Sequence, residues 1–320
     1  MRNLTPLPLG EAGRSPGEGC VPAATHLSPP PLSHRERGFG FAMWRRFRNN
    51  RGAIVGLAIL CVFATVALAA PLATSYDPEQ TRLEQKLLEP SPAHLLGTDH
   101  LGRDILARLA YGARASLLIC FAAVGVGLVI GVPLGAISGF YGGWLDLILQ
   151  RVIDVLLSFP GFLLALTLVA VLGVGIVNVV IAVGLGVVPA SVRLMRASTL
   201  SIRSREYVDA ARAAGASGAS IIMRHVLPNS FAPVVIQGTL GLGATLLTAA
   251  GLGFLGLGVQ QPTPEWGSML GEGRSYIFSN PNLATFPGIA IFLTVLGFNL
   301  AGDGLRDALD PALDRGRKPT

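Results

Sequence analysis

The sequence predicts an all-α integral membrane protein with six transmembrane helices. Three observations carry that expectation. Of its 320 residues 51% are apolar and 14% charged, with a mean hydropathy of +0.54, whereas a soluble domain carries roughly 25% charged residues. The apolar residues gather in long uncharged runs, each about the 20 residues that cross hydrocarbon. The arginines gather beside those runs, as topology-setting charges do. The 40 glycines do not argue for an irregular chain, because most lie inside the runs, where transmembrane helices tolerate them.

Residues 1–42 differ in composition from the rest of the chain. They are rich in proline, including Pro29, Pro30 and Pro31, and have no apolar periodicity, so a disordered extension is expected. The pieces "PLPLGEAG" and "LSPPPLSHRERG" resemble the read-through of an intergenic inverted repeat. Met43 then opens "MWRRFRNNRGAIVGLAIL", a basic start to a first span, and is the expected true start.

Residues 43–75 are expected to hold the first span. Its run from Ala53 to Ala73 is uncharged and follows Arg45, Arg46, Arg48 and Arg51, which puts its N-terminus in the cytoplasm. Residues 76–114, mixed in charge, are read as an external loop. The other five spans fall within 115–305. The second ends near Ser138, and the third runs from about Leu147 to a break at "LGVG" (172–175). The fourth covers Val177 to Met195, the fifth lies within Phe231 to Leu257, and the sixth has Pro287 to Ala301 as its core. Six crossings leave both termini cytoplasmic, including the tail at 306–320. The arginine-rich loop at 204–229 falls on the same side, with Arg193, Arg196, Arg203, Arg205, Arg212 and Arg224 in or beside it.

Within the spans, Gly127, Gly131 and Gly135 recur every four residues, so they share a face that lets another helix approach. Arg151 and Asp154 are three apart on one helix face and are expected to form an ion pair. Pro133 and Pro160 are expected to kink their helices. Cys61 and Cys120, two of three cysteines, read as small hydrophobes.

The net charge of +6 comes from arginines beside spans rather than from a basic, aromatic surface, so lipid is an expected partner and nucleic acid is not. His94 and His100 stand near Asp99 and Asp104, residue types that can ligate metals, yet no paired Cys or His motif accompanies them and no metal site is expected. His225, in the docking segment of the 204–229 loop, is expected to have an interfacial packing role. The spans contain no His or Lys to activate a nucleophile, so no catalytic residue is expected.

The loop reads "SREYVDAARAAGASGASIIMRHVLPN". Glu206 to Ala214, rich in Ala, predicts a short helix that Gly215 can stop in a left-handed conformation. A second short helix from Ser217 to Val226 carries Ile221, Ile222 and Val226 as an apolar set, with Pro228 ending it. Such a pair suits insertion into a partner's groove or lies on lipid headgroups; periodicity leaves both open.

Asp209-Ala210-Ala211, then Gly215, then Leu227-Pro228, resembles the "EAA" loop of ABC importer permeases, with Asp in place of Glu. Three further segments, "GTDHLGRDILARLAYGARASL" (97–117), "FLGLGVQQPTPEWGSMLGEGR" (254–274) and "PGIAIFLTVLGFNLAGDGLRDALDP" (287–311), look like the dipeptide, oligopeptide and nickel importer permeases, and like the second permease of each pair. The resemblance covers nearly all of 43–315. One departure falls at Ala249, Gly251 and Gly253, where relatives usually carry an acidic residue and serines.

The resemblance implies a type I ABC importer transmembrane domain in the bacterial inner membrane, with 115–305 as the permease core. It implies a docking role for Glu206, Asp209, Ala210, Ala211, Gly215, Ile221, Leu227 and Pro228 against an ATP-binding subunit. Expected partners are a homologous permease, two ATPase subunits and an extracytoplasmic substrate-binding protein. The cargo is expected to be di- or oligopeptides, with nickel and glutathione carried by relatives. No cofactor is expected in this chain: neither of its lysines, Lys86 and Lys318, sits in a P-loop, which needs Gly-Lys-Ser/Thr, so partner subunits would bind ATP. The alternative class is an ion-coupled secondary transporter, which would want charged groups at mid-membrane.

Overall fold

In a computed structural model, residues 44–45 and 47–309 are described; the expected extension at 1–42, the start at Met43 and the tail beyond Leu309 lie outside them. The described residues are mostly helical, with residues 74–104 largely irregular and one isolated bridge between Thr98 and Asp104.

The first span, α1 (Arg51–Ala73), is capped by Asn50, whose side chain accepts from Ala53 N–H at 3.2 Å. Its 23 residues reach about 34 Å, enough for the hydrocarbon. α2 (Ile105–Tyr141) has 37 residues, roughly 55 Å at 1.5 Å each, so it spans and overshoots. Its N-cap is Asp104, which accepts from Ala107 N–H at 2.7 Å. The expected external loop therefore ends at Asp104 rather than Arg114. The charges that suggested a loop, Arg108 and Arg114, are instead taken up by acceptors within the protein.

At Gly142, φ of +66° turns the chain into α3 (Gly143–Ser158) and then α4 (Gly161–Leu172). The two meet at 92° across Phe159 and Pro160, and taken together they are long and apolar enough for one span; a proline cannot donate the helical bond, and the residue before it avoids helical backbone. α5 (Ile176–Arg203) returns, α6 (Glu206–Ala213), α7 (Gly218–Ile221) and α8 (Leu227–Asn229) form the loop, and α9 (Phe231–Phe254) crosses again. After a short α10 (Trp266–Gly273), α11 (Asn282–Leu309) completes the bundle; it runs past the expected end of the core, so Arg306 belongs to a span helix and not to a tail. Among the described residues five helices are singly long and apolar enough to cross a membrane, and the count is six with the bent pair taken as one span.

Glycine sets the closest helix contacts. A Cβ on Gly127 would lie 2.5 Å from Val187, on Gly131 2.5 Å from Ser191 Cβ, and on Gly135 2.5 Å from the Val192 carbonyl. The three thus seat α2 against α5. Gly56 does the same for α1 on α11, where a Cβ would come within 2.7 Å of Ala301 N. Between α2, α9, α10 and α11 lies a core around Trp266, Leu246 and Phe298.

Candidate functional site

The 204–229 loop is fixed to the ends of α2 and α5 by its own buried face. Val208, fully buried, enters a cluster with Phe140, Met195, Ile202, Ile221 and Val226. The Arg212 guanidinium lies 5.6 Å from the Phe140 ring centroid and donates to Asp209 at 3.1 Å. At Gly215, φ is +82°, and the end of α6 is closed by Gly215 N–H to Arg212 O (2.9 Å) and Ala216 N–H to Ala211 O (3.0 Å). These are the two bonds of a Schellman cap, so the glycine is there for its backbone. Gly218 lets the chain pass close to Phe140 and Tyr141, where a Cβ would sit 3.0 and 2.9 Å from their side chains.

Two expectations for the loop are corrected. Ile221 is 1% exposed; with Ile222 and Val226 it faces the bundle, because an apolar set on a short helix is satisfied first by its own core. It cannot be a docking contact. Pro228 does not end the second helix. The chain passes from α7 through a π-turn (Ile222–Val226) into α8 and on to Phe231; Pro228 sits in the first turn of α8, where the missing N–H costs nothing. Among the residues the loop presents outward are Glu206, Tyr207, Asp209, Ala210, Gly215, Met223 and Pro228, together with Arg205, Arg212 and Arg224, while Ala211 and Leu227 are half-buried. The partly exposed His225 ring packs 5.9 Å from Tyr207.

Charged pairs staple the neighbouring helices. Arg196 of α5 donates to Asp146 of α3 through Nε (2.7 Å) and Nη2 (2.6 Å). Arg203 Nη1 donates to the Phe140 carbonyl at 2.9 Å, capping the end of α2. Asp154 pairs with Arg193 of α5 at 2.6 Å and not with Arg151; the expected intrahelical pair loses to a partner on the adjacent helix. Sequence spacing can only see partners on the same helix, so from the sequence alone Arg193 and Arg196 read as loop charges.

At the other end of α2 four charged residues close on one another. Asp99 Oδ2 accepts from Arg103 Nε at 2.6 Å, and Glu272 accepts from Arg103 Nη2 at 2.9 Å and Arg108 Nη2 at 3.2 Å. Arg103 and Arg108 are 2% and 1% exposed. Asp99, His100 and Glu272 could bring ligand atoms within 4.8 Å of one another. Both carboxylates, however, already face two guanidinium charges, which occupy the place of a cation. His94 meets Asp104 at 2.9 Å under the ring of Tyr76.

Beside this cluster, the buried Glu265 carboxylate caps α10, accepting from Gly267 N–H (2.8 Å), Ser268 N–H (2.9 Å) and Ser116 Oγ (3.0 Å). Burial pushes this carboxyl above its ordinary range, against the pull of those three donors. The glycines at the departure from the family pattern serve this packing. A Cβ on Gly253 would lie 2.5 Å from Glu265 Oε2, and one on Gly251 would lie 2.8 Å from the Phe162 ring.

Residues 131–315 match the family model described as "Binding-protein-dependent transport system inner membrane component", and residues 39–90 match "N-terminal TM domain of oligopeptide transport permease C". The chain is similar to the dipeptide transport system permease protein DppC of Alkalihalophilus pseudofirmus, 47% identical over 89% of this chain and 94% of that protein. It is also similar to the glutathione transport system permease protein GsiD of Pectobacterium atrosepticum, 48% identical over 84% of this chain and 90% of that protein. Among solved structures, an inward-facing MetNI methionine ABC transporter shares its fold, with TM-score 0.53, 21% identity, and coverage of 63% of this chain and 97% of that chain.

Proposed function

The chain belongs to the family of binding-protein-dependent transport system inner membrane components, and from that premise we propose that it is the peptide-translocating permease subunit of an ATP-driven importer. It is a multi-pass inner-membrane protein. In this reading the chain itself is non-catalytic and binds no cofactor; two ATPase subunits bind and hydrolyse ATP. A homologous permease completes the pathway, and an extracytoplasmic binding protein delivers the cargo. Both termini and the 204–229 loop lie in the cytoplasm, where the loop's Arg205 and Arg224, without an ion-pair partner among the described residues, belong.

One observation carries the mechanism: the loop has an exposed face of Glu206, Asp209, Ala210 and Gly215 on a base locked into α2 and α5 through Val208, Arg212 and Phe140. A push on that face by a closing ATPase dimer is therefore delivered to two span helices as a rigid-body motion rather than lost in a soft loop. The broken α3–α4 span, tied to α5 through Asp146 and Asp154, moves with them. Alternating access follows from rocking one permease against its partner around a cavity between them.

Di- and tripeptide cargo is supported by the relatives, which include permeases for dipeptides, di/tripeptides and glutathione. The experiment is reconstitution of this chain with its operon partners in proteoliposomes. Uptake of labelled dipeptide that needs ATP, the binding protein and every subunit supports the reading. Uptake by the lone chain under an ion gradient would replace it with a secondary transporter.

A further inference from the structure

A second concave site lies beside the loop, on the ends of α5 and α6 and the start of α9. It is a cavity of about 550 Å³ lined by Ser198, Ser201, Ile202, Arg205, Tyr207 and Asn229. Its polar groups come from three elements: two hydroxyls from α5, a guanidinium and a phenol from the entry to α6, and the Asn229 side chain from α8, whose Nδ2 already donates to the His225 carbonyl at 2.6 Å. Four of the neighbouring arginines are held within the protein. Arg193 holds Asp154, Arg196 holds Asp146, Arg203 holds the Phe140 carbonyl, and Arg212 holds Asp209. Arg205 makes no ion pair among the described residues, and its guanidinium is the one charge lining the cavity. Glu206 and Asp209, the nearest acids in sequence, do not line it.

One guanidinium with hydroxyl donors beside it is a donor set that takes a tetrahedral oxyanion. The surroundings say where that anion comes from. The cavity lies where the span helices α5 and α9 end and begin, and Leu200 and Phe231, which neighbour its lining residues in sequence, are 42% and 66% exposed. Their exposed apolar surface is open to acyl chains. We infer that this cavity binds the phosphate of an anionic phospholipid, with Arg205 on the phosphate, Ser198 and Ser201 on its remaining oxygens, and the acyl chains beside Leu200 and Phe231. Basic pockets between span helices bind lipid headgroups in this manner. The inference rests on the cavity's chemistry and not on transport.

The test uses the full chain purified from vesicles of equimolar phosphatidylglycerol and phosphatidylcholine, with retained lipid counted by native mass spectrometry. Inorganic phosphate binding is measured on the same protein by calorimetry. The wild-type chain is expected to retain phosphatidylglycerol over phosphatidylcholine, and Arg205→Gln to lower that preference about tenfold, the loss of one charge-assisted hydrogen bond. Ser201→Asp, which puts a carboxylate into the cavity and leaves Arg205 in place, is expected to give the same loss. Retention that 10 mM phosphate (roughly a hundredfold over the protein, so that a free ion would compete) does not displace identifies the lipid as the source. Phosphate binding without lipid preference, lost in both variants, overturns the lipid as source in favour of a free phosphate. Equal retention by wild type and both variants, or no binding of either probe, overturns the inference as a whole.

Discussion

Arg114 of α2 donates into the break that Pro71 makes in α1. Pro71 has no N–H, so the carbonyl four residues earlier, Ala67, has no helical partner. Arg114 Nε donates to that carbonyl and its Nη2 donates to Leu68 O at 3.0 Å. An arginine at the mouth of a span thus acts as the missing donor of a neighbouring helix.

Arg114→Leu is therefore expected to destabilise the protein by about 1 kcal/mol, the cost of an unpaired carbonyl that retains some access to water. In a Pro71→Ala background, which restores the backbone N–H at that position, the same substitution should cost less. Thermal unfolding of the two single variants and the double variant in detergent gives the coupling.

The Asp146–Arg196 fork ties the broken span to α5. Removing one partner leaves the other charge half-buried and unpaired, so Arg196→Met and Asp146→Leu should each be destabilising, while the double variant recovers part of the loss. Unfolding temperature reads stability, and ATP-dependent uptake reads whether α3 still moves with α5.

Gly131 sits where α2 and α5 nearly touch. Gly131→Ala drives a Cβ to within 2.5 Å of Ser191 Cβ and 3.0 Å of the Val188 carbonyl, and is expected to cost about 1–3 kcal/mol through overpacking. Gly186→Ala, on α5 with nothing within 4 Å, should be neutral. Equal behaviour of the two in thermal melts would remove the close-packing account.

Glu265 makes stability depend on pH. Its folded carboxyl titrates above the ordinary 4.5, so the folded state holds a proton that the unfolded state releases. Stability contributed by this group is present below 4.5 and is lost as pH rises from there through the folded value. Glu265→Gln, which keeps an acceptor for the α10 cap, should flatten that dependence. Glu265→Ala, which loses the cap as well, should be less stable at every pH by about 1–2 kcal/mol. Melting temperatures across pH 4–8, a window set by the rule that maximal stability lies at roughly pH 5–8, decide between these outcomes.

The spans and the loop were legible because their signals are local. A run of apolar residues from Ala53 to Ala73, or an alanine-rich segment closed by Gly215, says what it is without its neighbours. The boundary of α2 was not legible. Arg108 and Arg114 look like loop charges until Glu272 and the freed Ala67 carbonyl arrive from distant parts of the chain to neutralise or use them. Asp154 misleads for the same reason: its partner lies on α5, where no helical spacing leads. Ile221 misleads differently. Periodicity identifies an apolar face but cannot say whether that face meets a partner or the protein's own core, and Val208 and Phe140 already cover it.

The central claim is that the outward face of the 204–229 loop receives the ATPase. Ala210 is exposed on that face, so Ala210→Trp adds bulk toward a partner and none toward the bundle. The most direct measurement is an affinity pull-down of tagged wild-type and Ala210→Trp chains from gently solubilised membranes, with the accompanying subunits quantified by mass spectrometry. The account predicts that wild type brings down a P-loop ATPase and a second permease, and that the variant keeps the permease and loses the ATPase. An ATPase retained in full by Ala210→Trp, or a wild-type chain that purifies alone and still transports, would contradict it.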